Sequence, residues 1–475
     1  MNRPLQWMLA AIMTICGIHN SKAQTADDTV YVFKADQPNA AYYLPAPPDT
    51  ASLIFIDDMA QWQWGKKMRA TKRGKQADRE SLWLPDIMRT IMAEVLELDT
   101  ISDEKTPALS RLLVKTYHTG EQSTAAAKKQ YMRRRPFQQM NDSLWATYDT
   151  DFLRTNGSFP SGHASFGWAT ALVFAEMWPA LQDTILRRGI QFGENRVITG
   201  AHWQSDVIAG LLCASASIAR AHTNPCLEQD IQAARAEYAR IKGIAIPDNA
   251  FAIEDDIPHG ELILNNPVDT FSARFICDLQ MYWNNKPVRD TKRGKTAEEE
   301  AEYSVAMMQK IMGEAIGITI TDTETPAITR LISYVLDKSS DTADHLKLLR
   351  FRKRPFVQLG EPSSVPGNDE NEQGKSSFPS GHTNLGWAEA LVMAEVVPER
   401  QDEILRRGYE YGYNRIIVGY HWYTDVEATR PLASALVARL HADPEFRLMI
   451  KTAREEYETV TGRIIIENSK MEQRK

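Results

Sequence analysis

Cysteine is scarce in this sequence, with four in 475 residues. Cys16 lies in an N-terminal apolar run, which leaves Cys213, Cys226 and Cys277 for the body of the protein. Three thiols form at most one disulfide, and none has metal-ligand spacing, so the fold must rest on its core. Long apolar runs are missing too. Beyond the N-terminus no stretch reaches the roughly 18 apolar residues a spanning helix needs. The best candidate, Val207 to Ala219, is short and broken by Ser215 and Ser217, which argues against stable membrane insertion. An excess of positive charge is also absent. The formal net charge is −7, and a nucleic-acid partner is not expected of such a chain. Alternating strand patterns are few, and no acidic cluster has the look of a Mg²⁺ or Zn²⁺ site, so neither a catalytic metal nor a cofactor is expected.

What is present is an ordinary globular composition, 43% hydrophobic and 25% charged, in a chain long enough for two or three domains. Arg3 precedes the apolar run Leu5 to Ile18, and Ser21-Lys22-Ala23 sets small residues before a cut at Gln24. Residues 1–23 therefore read as a secretory signal peptide, which places the mature protein in the periplasm or outside the cell.

The rest of the chain is one unit written twice. FPSGH occurs at Phe159 and at Phe378, 219 residues apart. TKRGK at Thr71 returns at Thr291, TPALSRLL at Thr106 answers TPAITRLI at Thr325, and RRRPF answers RKRPF. ILRRGIQFGENRVITGAHWQSDV answers ILRRGYEYGYNRIIVGYHWYTDV. A period this long is a domain duplication rather than a solenoid. The domains are expected over 24–250 and 251–475, joined by the Pro-, Asp- and Gly-containing stretch 244–260. Each copy reads as an all-α bundle. Helices are expected over 88–98, 161–178, 205–222 and 227–242, with Asp183 as an N-cap. RVIT and RIIV look like short β-branched links between helices, and TKRGK like a basic turn.

Three clusters recur in the same order. Lys128 and Arg135, with Lys347 and Arg354, sit seven apart, two helical turns along one face, where two cations suit an anion with several oxygens. Ser161-Gly162-His163, with Ser380-Gly381-His382, would open a helix whose free N–H groups attract such an anion beside an imidazole. Arg196, His202 and Asp206, with Arg415, His421 and Asp425, add a third cation and a His–Asp pair four apart, in which the carboxylate fixes one ring nitrogen and frees the other. Taken singly, each cluster also fits a solvated basic face, a capped helix or a surface ion pair. Together they describe an anion pocket with two imidazoles.

The combined pattern, Lys-x6-Arg-Pro, Pro-Ser-Gly-His and Arg-x5-His-x3-Asp, resembles the phosphatidic acid phosphatase type 2 and vanadium haloperoxidase superfamily. Within it, GSFPSGH, ILRRG and GAHWQSDV look most like the bacterial class A nonspecific acid phosphatases. The resemblance implies hydrolysis of small-molecule phosphate monoesters without a metal. His202 and His421 would attack phosphorus to form a phosphohistidine, Asp206 and Asp425 would orient them, and His163 and His382 would protonate the leaving alcohol. Lys128, Arg135, Ser161, Gly162 and Arg196, and likewise Lys347, Arg354, Ser380, Gly381 and Arg415, would hold the phosphoryl oxygens. Asn195 and Asn414 stand where the family usually has Ser. Because family members often pair as oligomers, the copies are expected to pack as an intramolecular pseudo-dimer. A lipid phosphatase, a vanadate-dependent haloperoxidase and a phosphate-binding protein without turnover are the alternatives.

Overall fold

The computed structural model describes residues 29–52, 54–146, 150–246 and 257–472. The expected signal peptide and the centre of the expected linker lie outside the described residues. Those described form helices and connections, with no β-strand among them.

In the first half the main helices are α1 (Phe55–Met68), α2 (Lys72–Arg79), α3 (Pro85–Val95), α4 (Pro107–Gln122), α5 (Gly162–Met177), α6 (Gln182–Thr199), α7 (Gln204–His222) and α8 (Pro225–Lys242). The second half repeats the order as α9 (Arg274–Asn285), α10 (Lys292–Glu299), α11 (Val305–Ile316), α12 (Pro326–Leu349), α13 (Gly381–Val396), α14 (Gln401–Val418), α15 (Tyr423–His441) and α16 (Pro444–Glu472). Each bundle is built around its central helix, α5 or α13, packed on the two helices that follow it and on α4 or α12. Every residue of α5 is buried, so this helix has no solvent face. The apolar period read in the sequence there marks a fully enclosed helix rather than an amphipathic one.

Local chemistry sets the ends. Ser161 and Ser380 accept from the backbone N–H three residues on and start α5 and α13. Gly200 and Gly419 end α6 and α14 in the left-handed region, at φ 77° and 84°. Several sequence expectations are corrected here. RVIT and RIIV continue α6 and α14, because nothing before the closing glycine interrupts the helix. Asp183 lies inside the first turn of α6 and is not its N-cap. TKRGK is the cap and opening of a helix, not a turn: Thr71 and Thr291 accept from Gly74 and Gly294. All three cysteines are free.

The halves exchange contacts reciprocally. The Asn39 N–H donates to Asp402 at 2.8 Å, and the His259 N–H to Asp183 at 3.0 Å; Asn39 and His259 are repeat equivalents, as are Asp183 and Asp402. Arg274 pairs with Asp57 while Cys277 lies on the Ile54 carbonyl, which is again one contact seen from both sides. Helix α5 packs on α15 and α7 on α13, and both large apolar clusters contain residues of both halves. Each of these contacts is thus matched by its repeat equivalent across the seam.

Candidate active sites

Each half gathers its three clusters at the N-terminal end of its central helix. Lys128 lies in the helix Ala125–Tyr131, which Met132 closes in the left-handed region. Arg135 follows in extended backbone and precedes the short helix Pro136–Gln139. The pair therefore does not share a helix face, contrary to the reading of their spacing. They converge by folding: Lys128 Nζ and Arg135 Nη2 both donate to the Gly157 carbonyl, at 3.0 and 3.3 Å. Burial, reinforced by the Arg135 charge, pulls the Lys128 ammonium down to about 7.

His202 precedes α7 instead of sharing its face with Asp206. The Asp206 carboxylate accepts the Trp203 N–H at 2.8 Å and so caps the helix. His202 Nδ1 stands 3.6 Å from the same carboxylate. At the other side of the ring, Arg135 Nη1 lies 2.9 Å from Nε2. A guanidinium only donates, so Nε2 must carry the lone pair and Nδ1 the proton. The second half repeats this, with Arg354 Nη1 3.1 Å from His421 Nε2. There Nδ1 faces the Ser377 carbonyl at 2.5 Å, and Asp425 acts one step removed, accepting from Ser377 Oγ at 2.6 Å.

His163 Nε2 lies 3.0 Å from the Ser81 carbonyl and His382 Nε2 3.0 Å from the Ala301 carbonyl. The Trp83 ring packs edge-on against His163, and Tyr303 against His382. Gly162 is required by this approach, since a Cβ there would come within 2.4 Å of Trp83. Arg196 and Arg415 are fully buried. Arg196 donates to the Ser81 and Ala77 carbonyls, and Arg415 to those of Ala297 and Glu300. Arg415 keeps Nε and Nη1 without a hydrogen bond among the described residues. Burial lowers it to about 10. Ser161 and Ser380 serve as helix caps, with Gly162 and Gly381 opening the helices.

Burial, helped by neighbouring cations, holds all four histidines well below the usual imidazole range. The carboxylates differ. Burial would raise Asp206, but Arg133, His202 and Ser158 outweigh it and hold the group well below the usual value. Asp425 is pushed up to about 6 by burial, with Arg352 opposing and Asp278 adding to the rise.

Two supporting networks went unread in the sequence. Arg133 bridges Asp206 and Asp58, both at 2.7 Å, and Asp58 in turn accepts the Ser205 N–H and hydroxyl. Arg352, Asp425, Asp278 and Thr424 repeat the arrangement. The repeated basic triplet before Pro-Phe was its only signal. The second network explains the asparagines. Asn195 Nδ2 donates to Glu80 at 2.7 Å and Asn414 Nδ2 to Glu300 at 2.5 Å. Glu80 and Glu300 belong to the segments whose carbonyls receive the site arginines and the second histidines. Arg73 of TKRGK also reaches Asn195.

A cavity of about 790 Å³ between the halves is bordered by Asp57, Trp64, Arg187, Arg274 and Tyr423 among others, and by Asp58, Arg73, Ser205 and Thr424 of the supporting networks, but by none of the candidate catalytic or phosphate-binding residues. It is not the site of this chemistry. No helix among the described residues is long and apolar enough to cross a membrane.

A family model described as the PAP2 superfamily matches residues 111–225 and 327–447, one match in each half. A non-specific acid phosphatase of Providencia stuartii is 37% identical over 219 residues, covering 46% of this chain and 88% of that protein. One from Salmonella typhimurium is 35% identical over 216 residues, covering 45% and 86%. A lipid A 1-phosphatase of Rhizobium etli shares 44% over 54 residues, 11% of this chain and 23% of its own length.

Proposed function

This chain belongs to the PAP2 superfamily as a tandem duplication and is an acid phosphatase, and on that premise we propose that each half hydrolyses phosphate monoesters through its own phosphohistidine. The observation that carries the reading is the guanidinium that donates to a buried histidine Nε2 in both halves. It fixes the tautomer whose lone pair is on Nε2, beside the groups that would bind phosphate.

The chemistry follows from the geometry. The phosphoryl oxygens sit among Lys128, Arg135, Arg196 and the start of α5, with the corresponding residues at the second site. The His202 Nε2 lone pair attacks phosphorus and the bond to the ester oxygen breaks. His163 gives that oxygen its proton, so a neutral alcohol leaves. Water then attacks the phosphohistidine, His163 takes its proton, the P–N bond breaks, and inorganic phosphate departs. The Nδ1 proton of His202 stays with Ser158 and Asp206 throughout, which stabilises the charge the ring acquires. His421, His382 and Asp425 do the same, with the Ser377 carbonyl holding Nδ1.

The Leu5–Ile18 run and its polar exit support a periplasmic or secreted protein, and the reciprocal contacts support an intramolecular pseudo-dimer. Phosphate release from an aryl phosphate at acid pH in excess chelator tests the reading. We expect release by the full chain, partial loss in His202→Ala and in His421→Ala, and near-complete loss in the double variant. Undiminished turnover by the double variant would overturn it.

A further inference from the structure

A cluster of metal-ligating side chains lies outside both catalytic pockets, at the far end of α5. Glu176 is thirteen residues beyond His163 on that helix, about 20 Å along its axis. His222 ends α7 and His441 ends α15, and they are repeat equivalents. Their rings stack across the seam between the halves, 3.7 Å apart and within 2° of parallel. We propose that Glu176, His222 and His441 form a binding site for a divalent transition metal of the zinc type, tying the two halves together.

Three observations carry this. One ligand atom from each of the three residues lies within 4.8 Å of the others. Glu176 is 1% exposed, yet neither of its carboxylate oxygens makes a hydrogen bond among the described residues; His222 Nε2 stands 3.3 Å from Oε2. His441, 2% exposed, pairs through Nε2 with Glu395 at 2.8 Å. That contact leaves Nδ1 buried and without a partner. A carboxylate on one ring nitrogen and a bare lone pair on the other is how metal-binding histidines are oriented.

Two imidazoles and a carboxylate are a donor set zinc accepts, with water as a fourth ligand. Tetrahedral binding needs donors roughly 3.3 Å apart, so the three draw inward and the stacked rings tilt. Nearby cations do not close the site. Arg447 donates to the His441 backbone carbonyl and reaches Glu228 at 3.2 Å, and Arg235 donates to the backbone carbonyls of Glu176 and Met177, so neither hydrogen-bonds the proposed ligand atoms. Because ligands come from both halves, the ion would resist their separation.

The test uses the full mature chain, stripped with chelator and titrated with Zn²⁺ alone near neutral pH by calorimetry. We expect one ion per chain, a Tm rise of about 5 °C or more on saturation, and a Co²⁺ form with tetrahedral visible absorption. Glu176→Gln and His441→Ala should each weaken binding about a hundredfold. Both should keep phosphatase activity in chelator, which reports that they are folded. Absence of binding by the folded wild-type chain, or equal binding by Glu176→Gln, overturns the proposal. The site does not depend on the catalytic reading, so either can fail alone.

Discussion

Arg354 Nη2 meets the Glu372 carboxylate at 2.7 Å. At the equivalent position the first half has Leu153, whose carbonyl accepts from Arg135 Nε. Lys347 likewise pairs with Asp344 at 2.9 Å, where the first half has Ala125. Two cations of the second site, which we propose to hold phosphate, thus each carry a carboxylate. An anionic substrate must compete with both.

The paired carboxylates should therefore weaken phosphate binding at the second site. With His202→Ala removing the first, Glu372→Gln should lower the KM of the second about three- to tenfold, with kcat little changed. Steady-state kinetics on an aryl phosphate would show it, and an unchanged KM would refute the electrostatic account.

Acidity should matter in a specific direction. On the proposed mechanism, turnover needs a neutral nucleophile and a protonated leaving-group histidine. Both histidines of each site are held well below 6.5 by burial and cations. As pH rises, His163 and His382 lose the proton they must donate, so kcat/KM should peak below about 6.5 and fall on the alkaline side. Asp425, near 6 where Asp206 stays ionised, should add a transition to the profile of His202→Ala that His421→Ala lacks.

Stability should follow the same groups with the sign fixed by their shift. The four histidines bind protons less readily folded than unfolded. Their neutral burial is fully tolerated above about 6.5 and costs stability as pH falls below it, where the unfolded chain takes up protons first. Thermal unfolding should give a lower Tm at pH 5 than at pH 7.5. Inorganic phosphate should recover part of the loss by pairing with the charged pocket.

Asn195 should prove a positioning residue. Its amide holds Glu80, and the adjoining carbonyls seat Arg196 and His163. Asn195→Ala should lower kcat about tenfold or more and destabilise the chain by about 1–3 kcal/mol. Asn195→Ser should retain more activity, because a hydroxyl can still donate. Equal loss in both would mean that the carboxylate contact is not what matters.

The candidate site residues stand out in the sequence because each motif sets chemistry-bearing side chains at fixed spacing and does so twice. Their geometry was less legible. Lys128–Arg135 and His202–Asp206 were read as helix-face pairs, but Met132 ends one helix and α7 begins only at Gln204. The motifs converge through turns and caps that spacing alone does not encode. Arg133 lies in a run of three arginines, and nothing local says which one faces Asp206. The seam is tertiary: Glu176 and His222 are 46 residues apart and His441 another 219, with no shared motif to join them. Helix class and duplication were plain, since the repeat carries its caps and glycines in both copies.

The central claim is one phosphohistidine per half. Its most direct measurement is alkaline-quenched turnover of a phosphate-labelled substrate, followed by peptide mapping. The account predicts label on the peptides bearing His202 and His421, with each lost only in its own alanine variant. Label confined to another residue, or none during rapid turnover, would contradict it.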